Sequence, residues 1–195
     1  MKKQRKTILG ISGSLRTGSY NTKLLIFTLE RIKNKFDGTE YFIANLDLPL
    51  FNEDLEISSG IPMEVIELAC AIENAASVII STPEYNKNVS GVLKNALDWI
   101  SRVKPQPWKA KPVIILSTAS GQSGGERAQN SLRLCLSPFD PILFFAPEVA
   151  IPDASNAFED CGTPKSQVVI AKIDRQISNL EPYLYQDRTK DELIS

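Results

Sequence analysis

Five short apolar runs rich in β-branched residues punctuate the chain: Thr7 to Ser12, Glu40 to Leu46, Ser77 to Thr82, Pro112 to Ser117 and Ile142 to Val149. Each is nearly continuous in apolar character rather than alternating, the mark of a strand covered on both faces. Between and after them, helical periodicity falls near Asn21 to Lys35, Pro62 to Ala75, Ser90 to Val103, Gly125 to Leu136 and Lys165 to Leu180. Strands that alternate with helices require right-handed crossovers and a parallel sheet, so the expected class is α/β. A chain of 195 residues supports one substantial core. We therefore read residues 1–195 as a single domain, with a loosely held tail from Gln186 to Ser195.

Charge and composition remove several kinds of chemistry. The 22 basic and 23 acidic residues leave a net charge of -1, which gives no broad electrostatic reason to bind nucleic acid or an anionic membrane. The basic start Met1 to Lys6 is followed by no apolar signal core. No run approaches the roughly 18 apolar residues of a membrane helix, so a cytoplasmic protein is expected. Histidine is absent, which excludes Ser-His-Asp catalysis, histidine acid–base chemistry and the commonest zinc sites. Cys70 and Cys135 lie in helix-like apolar stripes and read as buried thiols, while Cys161 reads as an exposed thiol in a polar loop. None has metal-ligand or redox spacing, and no metal site is expected.

An open parallel sheet binds ligands beyond the carboxyl ends of its strands. The first such loop, Gly13 to Asn21, joins a strand to a helix with glycines, hydroxyls and one Arg. Free N–H groups at a helix N-terminus attract an anion, Gly13 and Gly18 permit close approach, and Ser14, Ser19 and Asn21 can donate hydrogen bonds around Arg16. The loop lacks the Gly-Lys-Ser/Thr of a nucleoside triphosphate cradle. Gly10 and Gly13 do not make a dinucleotide fingerprint, and no acidic residue ends the run YFIANL. Hydroxyls with one Arg suit a terminal phosphomonoester. An ordinary strand-to-helix turn, capped by Ser19 or Asn21, would produce the same letters.

Two further loops follow strands, Thr82-Pro83-Glu84-Tyr85-Asn86 and Thr118 to Gly125. Either could be a simple connector; three polar loops at one sheet edge favour a site. Glu84 reads as a loop-shaping hydrogen-bond partner rather than a general base. Lys94 and Asp98 have the spacing of a surface pair, and Asn95 and Trp99 that of packing or a subunit contact. The long connection Asp47 to Gly60 places Leu50 and Phe51 among acidic residues; Phe51 could simply anchor a solvated loop, or serve a functional contact.

Four segments together resemble the NADPH-dependent FMN reductase family of flavodoxin-like proteins, which includes soluble quinone, azo-dye and chromate reductases. They are GSLRTGSYN at 13–21, DLPLFNEDLE at 47–56, STPEYNKNVSGVLKNALDWISR at 81–102 and SGQSGGERAQNSLR at 120–133. The resemblance extends to about Pro152 and implies a flavodoxin-like three-layer sandwich with a five-stranded parallel sheet in the order 2-1-3-4-5. It places Ser14, Arg16, Ser19 and Asn21 on the phosphate of noncovalently bound FMN. Pro83, Glu84, Tyr85 and Asn86 would run beside the isoalloxazine ring, with Ser120 and Gly121 against its other side. NADPH or NADH would be the donor and a quinone, azo compound, chromate or free flavin the acceptor. No catalytic side chain is implied, since the cofactor carries the chemistry. A homodimer or homotetramer is implied, with the long connection near the interface. The alternatives are a flavodoxin-type electron carrier or a flavin-binding regulatory module. The carrier is disfavoured by Arg16 in the phosphate loop and by the near-zero net charge.

Overall fold

The computed structural model describes residues 6–185. The strands are β1 (Lys6–Ser12), β2 (Thr39–Ile43), β3 (Ser77–Thr82), β4 (Pro112–Thr118) and β5 (Ile142–Ile151). The helices are α1 (Tyr20–Lys35), α2 (Glu53–Ser59), α3 (Met63–Asn74), α4 (Gly91–Ser101), α5 (Glu126–Leu136), α6 (Gln167–Ser178) and α7 (Glu181–Tyr185). All pairings are parallel, in the order β2-β1-β3-β4-β5. This is the flavodoxin-like arrangement, with its switch point between β1 and β3.

Neighbouring residues of the central strands feed opposite cores, as the two-residue pleat requires. Ile8, Ile79 and Ile114 pack with Leu24, Leu25, Leu29 and Ile32 of α1 and with Ile173 and Ile177 of α6. Leu9, Val78, Ile80, Val113 and Ile115 pack on the other face with apolar residues of α3, α4 and α5, including Trp99. Every residue of β3 and β4 is buried, which explains their continuous apolar runs.

The outer strands depart from that pattern. β2 is largely exposed past Thr39 and ends at Ile43, short of the expected Leu46, because it borders β1 alone. β5 opposes β4 through a bulge: Ile114 pairs with Phe144 and Leu116 with Val149, leaving Phe145 to Glu148 facing Ile115, with a cis Ala146–Pro147 peptide inside it. The long connection, expected as a loop, contains α2, which Asn52 caps by accepting from Asp54 N–H at 2.9 Å. Its acidic first turn, Glu53, Asp54 and Glu56, complements the helix dipole. Cys70 is exposed and Cys135 half-buried, correcting the expectation of two buried thiols. Cys70 lies on the α3 face turned away from Val65, Leu68, Ala69 and Ile72. The expected tail from Gln186 falls outside the described residues.

Gly124 has φ +60°, and a Cβ there would stand 2.6 Å from the Ala150 carbonyl carbon. Gly124→Ala should destabilise the fold by about 2–5 kcal/mol through positive-φ strain plus overpacking against backbone, read as a lowered urea midpoint.

Candidate functional site

The loops after β1, β3 and β4 converge at the carboxyl edge of the sheet, and the Asn21 side chain ties them together. Its Oδ1 accepts from the Ser81 hydroxyl at 2.9 Å and from Thr118 N–H at 3.1 Å, while its Nδ2 donates to the Thr118 carbonyl at 2.9 Å. Asn21 is 4% exposed, so its amide is a buried strut between β3 and β4. Only its backbone N–H remains for a ligand at the loop. Ser19 is the N-cap of α1, accepting from Thr22 N–H at 3.4 Å. No protein acceptor among the described residues meets the N–H groups of Tyr20 and Asn21. Ser14 accepts from Arg16 N–H at 3.3 Å and folds the loop back on itself. Arg16 is exposed and makes no ion pair with a carboxylate among the described residues. Gly13 donates to the Ser81 carbonyl at 2.8 Å, and a Cβ on it would meet Pro83 Cδ at 3.0 Å.

The loop after β3 begins at buried Pro83 and turns at Tyr85 to Asn88. Tyr85 and Asn88 exchange backbone hydrogen bonds of 3.1 and 3.0 Å, with Asn86 and Lys87 both at positive φ between them. Two such residues fit a tight hairpin turn and leave Tyr85 54% exposed at its rim. Glu84 faces inward. Its carboxylate accepts from Arg127 N–H at 3.1 Å and the Arg127 guanidinium at 3.3 Å, with Ser123 Oγ at 3.5 Å. Glu84 thus caps α5 and fastens the second loop to the third, as its loop-shaping reading anticipates.

In the third loop Ser120 and Gly121 are exposed, and Gly124 donates to the Gly121 carbonyl at 3.1 Å. Gly125, at φ +95°, enters α5 with no room for a Cβ, which would lie 2.7 Å from Ser117 Cβ. Gln129, unremarked in the sequence, donates to Ser117 Oγ and the Val149 carbonyl, both at 2.8 Å. The long connection is held by α4 and the residue after it: Asn95 Nδ2 and Trp99 Nε1 both donate to the Pro49 carbonyl, at 3.0 and 2.8 Å, Phe51 N–H donates to Asn95 Oδ1 at 2.8 Å, and Arg102 pairs with Glu56 at 2.8 Å. Phe51 stacks edge-on to Trp99 with ring centroids 5.0 Å apart.

The donor set fits a phosphate. The N–H groups of Tyr20 and Asn21, the Ser14 hydroxyl and an Arg16 guanidinium without a carboxylate partner among the described residues all belong to the segment 14–21, and a Cβ on Gly18, at φ +72°, would meet nothing within 4 Å. No group of acidic, Cys or His side chains that could hold a metal occurs among the described residues. The Thr163 hydroxyl beside the exposed Cys161 thiol holds its pKa below the usual value; this group lies in the connection after β5.

Fold and loops together define a flavodoxin-like protein whose three loops meet at the carboxyl edge of the sheet. A family model described as NADPH-dependent FMN reductase matches residues 7–156. An NAD(P)H-dependent FMN reductase of Pseudomonas aeruginosa is 39% identical over 175 residues, covering 89% of this chain and 92% of that protein. A quinone reductase of Escherichia coli is 38% identical over 145 residues, covering 74% and 77%. Among solved structures, the flavoenzyme NAD(P)H:(acceptor) oxidoreductase of Paracoccus denitrificans superimposes with a TM-score of 0.78 at 29% identity, covering 92% of this chain and 97% of that one. The chain belongs to the NADPH-dependent FMN reductase family. It is an NAD(P)H-dependent flavin oxidoreductase with FMN as its cofactor.

Asn21→Ala would strand buried Ser81 and Thr118 groups without partners. A loss of about 2–4 kcal/mol is expected in chemical denaturation, together with weaker FMN retention because the loops lose their common anchor.

Proposed function

We propose that this protein uses NAD(P)H to reduce a quinone-class acceptor by two electrons, with FMN held at the three-loop edge. The arrangement that carries this reading is a phosphate-fitting turn on α1 whose buried Asn21 amide is tied to the ends of β3 and β4, with an exposed Tyr85 in the loop after β3. Ser14, Arg16, the Ser19 cap and the Asn21 backbone hold the phosphate. Pro83, Glu84, Tyr85 and Asn86 border one side of the ring and Ser120 and Gly121 the other. When bound, FMN supplies hydride acceptance from nicotinamide and onward delivery of two electrons. The chain's own contribution is orientation and exclusion of water: Glu84 holds two loops at fixed separation, and Tyr85 shapes the face on which nicotinamide and acceptor alternate. No side chain has to move a proton at the hydride step.

The quinone assignment draws on the relatives named quinone reductase and on an NADPH:quinone oxidoreductase of Arabidopsis thaliana, 42% identical over 127 residues. We read residues 1–195 as one domain that works as a homodimer or homotetramer. Leu50, Ile57 and Met63, exposed by 81%, 78% and 68% along one stretch of chain, support a subunit contact there. A cytoplasmic location agrees with three unpaired cysteines.

The test is anaerobic absorbance after reconstitution with FMN. NADPH should bleach the flavin band and a quinone should restore it; a band unchanged by either nicotinamide would refute the reductase reading. Arg16→Ala should weaken FMN binding by about 1.5–3 kcal/mol, the scale of a hydrogen bond to a charged group. Unaltered flavin retention on a desalting column would remove Arg16 from the site. Tyr85→Ala should change quinone and nicotinamide kinetics while flavin content holds; loss of all flavin from a folded variant would contradict that role.

A further inference from the structure

We propose that Lys23 supplies a second cation to the cofactor phosphate, closing with Arg16 a two-charge clamp over the first turn of α1. The inference rests on assigning that turn to the FMN phosphate.

Three observations carry it. First, Lys23 Nζ and Arg16 Cζ converge on one ring, lying 5.4 and 5.8 Å from the Tyr20 centroid. Tyr20 is the first residue of α1, and it stacks on Phe158 with centroids 5.7 Å apart. Helical side chains lean toward the N-terminus, and Lys23 leans back over Tyr20, one turn before it and next to the Ser19 cap. Its stem passes beside Gly162, where an added Cβ would stand 3.4–3.7 Å from Lys23 Cβ, Cγ and Cδ.

Second, Lys23 stands apart from the other basic residues of its helix. Arg31 pairs with Asp174 at 2.6 Å, Lys33 with Glu40 at 3.0 Å, and Lys35 donates to the Ser178 hydroxyl at 2.7 Å. Neither Lys23 nor Arg16 has a carboxylate partner among the described residues.

Third, the placement is electrostatically unfavourable in the empty protein. A cation near a helix N-terminus opposes the dipole, and α1 has no acidic residue in its first turn to offset it. A phosphate dianion reverses the sign of that interaction. It offers three oxygens and close to two negative charges, which a single Arg leaves half-neutralised.

The sequence motif did not include Lys23, since it lies beyond Asn21 and reaches the turn only by leaning back along the helix.

The measurement is the dissociation constant of FMN and of riboflavin, by quenching of flavin fluorescence, for wild type, Lys23→Ala and Lys23→Arg at low and high NaCl. Lys23→Ala should weaken FMN about tenfold at low salt. The difference should narrow as salt screens the exposed charges. Riboflavin, which lacks the phosphate, should bind all three proteins alike, and Lys23→Arg should retain most of the FMN affinity. The flavin-free Lys23→Ala protein should have a Tm equal to or above wild type, which separates lost binding from lost folding. Wild-type FMN affinity in Lys23→Ala, or equal weakening of FMN and riboflavin, would overturn the clamp. If wild type instead binds riboflavin as tightly as FMN, or binds neither, the phosphate assignment itself fails and the clamp with it. A Lys23→Ala protein that keeps its FMN affinity but shows a raised KM for NADPH would move the lysine to the donor site.

Discussion

One carboxamide holds the functional edge of this protein together. Asn21 is in the first turn of α1, yet its side chain hydrogen-bonds Ser81 at the end of β3 and both backbone groups of Thr118 at the end of β4. The β3–β4 ladder ends at Thr82 and Ser117, so the backbone groups of Thr118 must find partners beyond it. The amide satisfies them and in doing so fixes the start of α1 against two strands. The direction of the helix N–H groups, and so of the turn proposed to hold the phosphate, follows from that fixation. Burial makes the arrangement cooperative, because losing one partner leaves the others desolvated and unpaired.

Around this strut the loops divide their tasks. Backbone and hydroxyl groups of the first loop present positive potential, reinforced by cations that find no carboxylate within the described protein. The second loop presents an aromatic rim on a tight turn. Glu84, by capping α5, makes the spacing between second and third loops a property of a helix end rather than of a mobile connector. Gly124 lets its loop approach the β5 backbone at a distance a Cβ would forbid, Gly125 leaves room for the Ser117 side chain, and a Cβ on Gly13 would crowd Pro83. A flavin enzyme needs little else from its side chains, since the protein's role is to orient and tune a cofactor that carries the redox chemistry.

The long connection between β2 and α3 is fastened by the same economy of polar groups. Asn95 and Trp99, one turn apart on α4, share the Pro49 carbonyl, and Phe51 closes over Trp99. This leaves Leu50 and the outer side of α2 directed outward, which gives the oligomer proposal its physical basis.

The alternation of buried apolar runs with helical periods determined the α/β class and the parallel sheet, because strands covered on both faces are built mainly from apolar residues, with buried polar groups such as Ser81 and Ser117 kept at their ends and hydrogen-bonded. The capped turn into α1 was legible too: Ser19 at the strand-to-helix junction accepts from Thr22 N–H, as its hydroxyl at that place suggests. β3 was bounded correctly, and β4 nearly so, for the same reason. The edge strands were read too evenly, since a strand with one neighbour is free of the two-sided constraint, and α2 was missed because an acidic, exposed, seven-residue helix has no apolar stripe to betray it. Cys70 looked buried because its neighbours are apolar, but helix rotation about α3 decided its exposure. The strut made by Asn21, the cap made by Glu84 and the grouping of Lys23 and Tyr20 with Phe158 needed the tertiary structure. The strut and the cap join groups 39 to 97 residues apart that only the folded sheet brings together, whereas Lys23 meets Tyr20 at helical spacing but Phe158 joins them only in the fold.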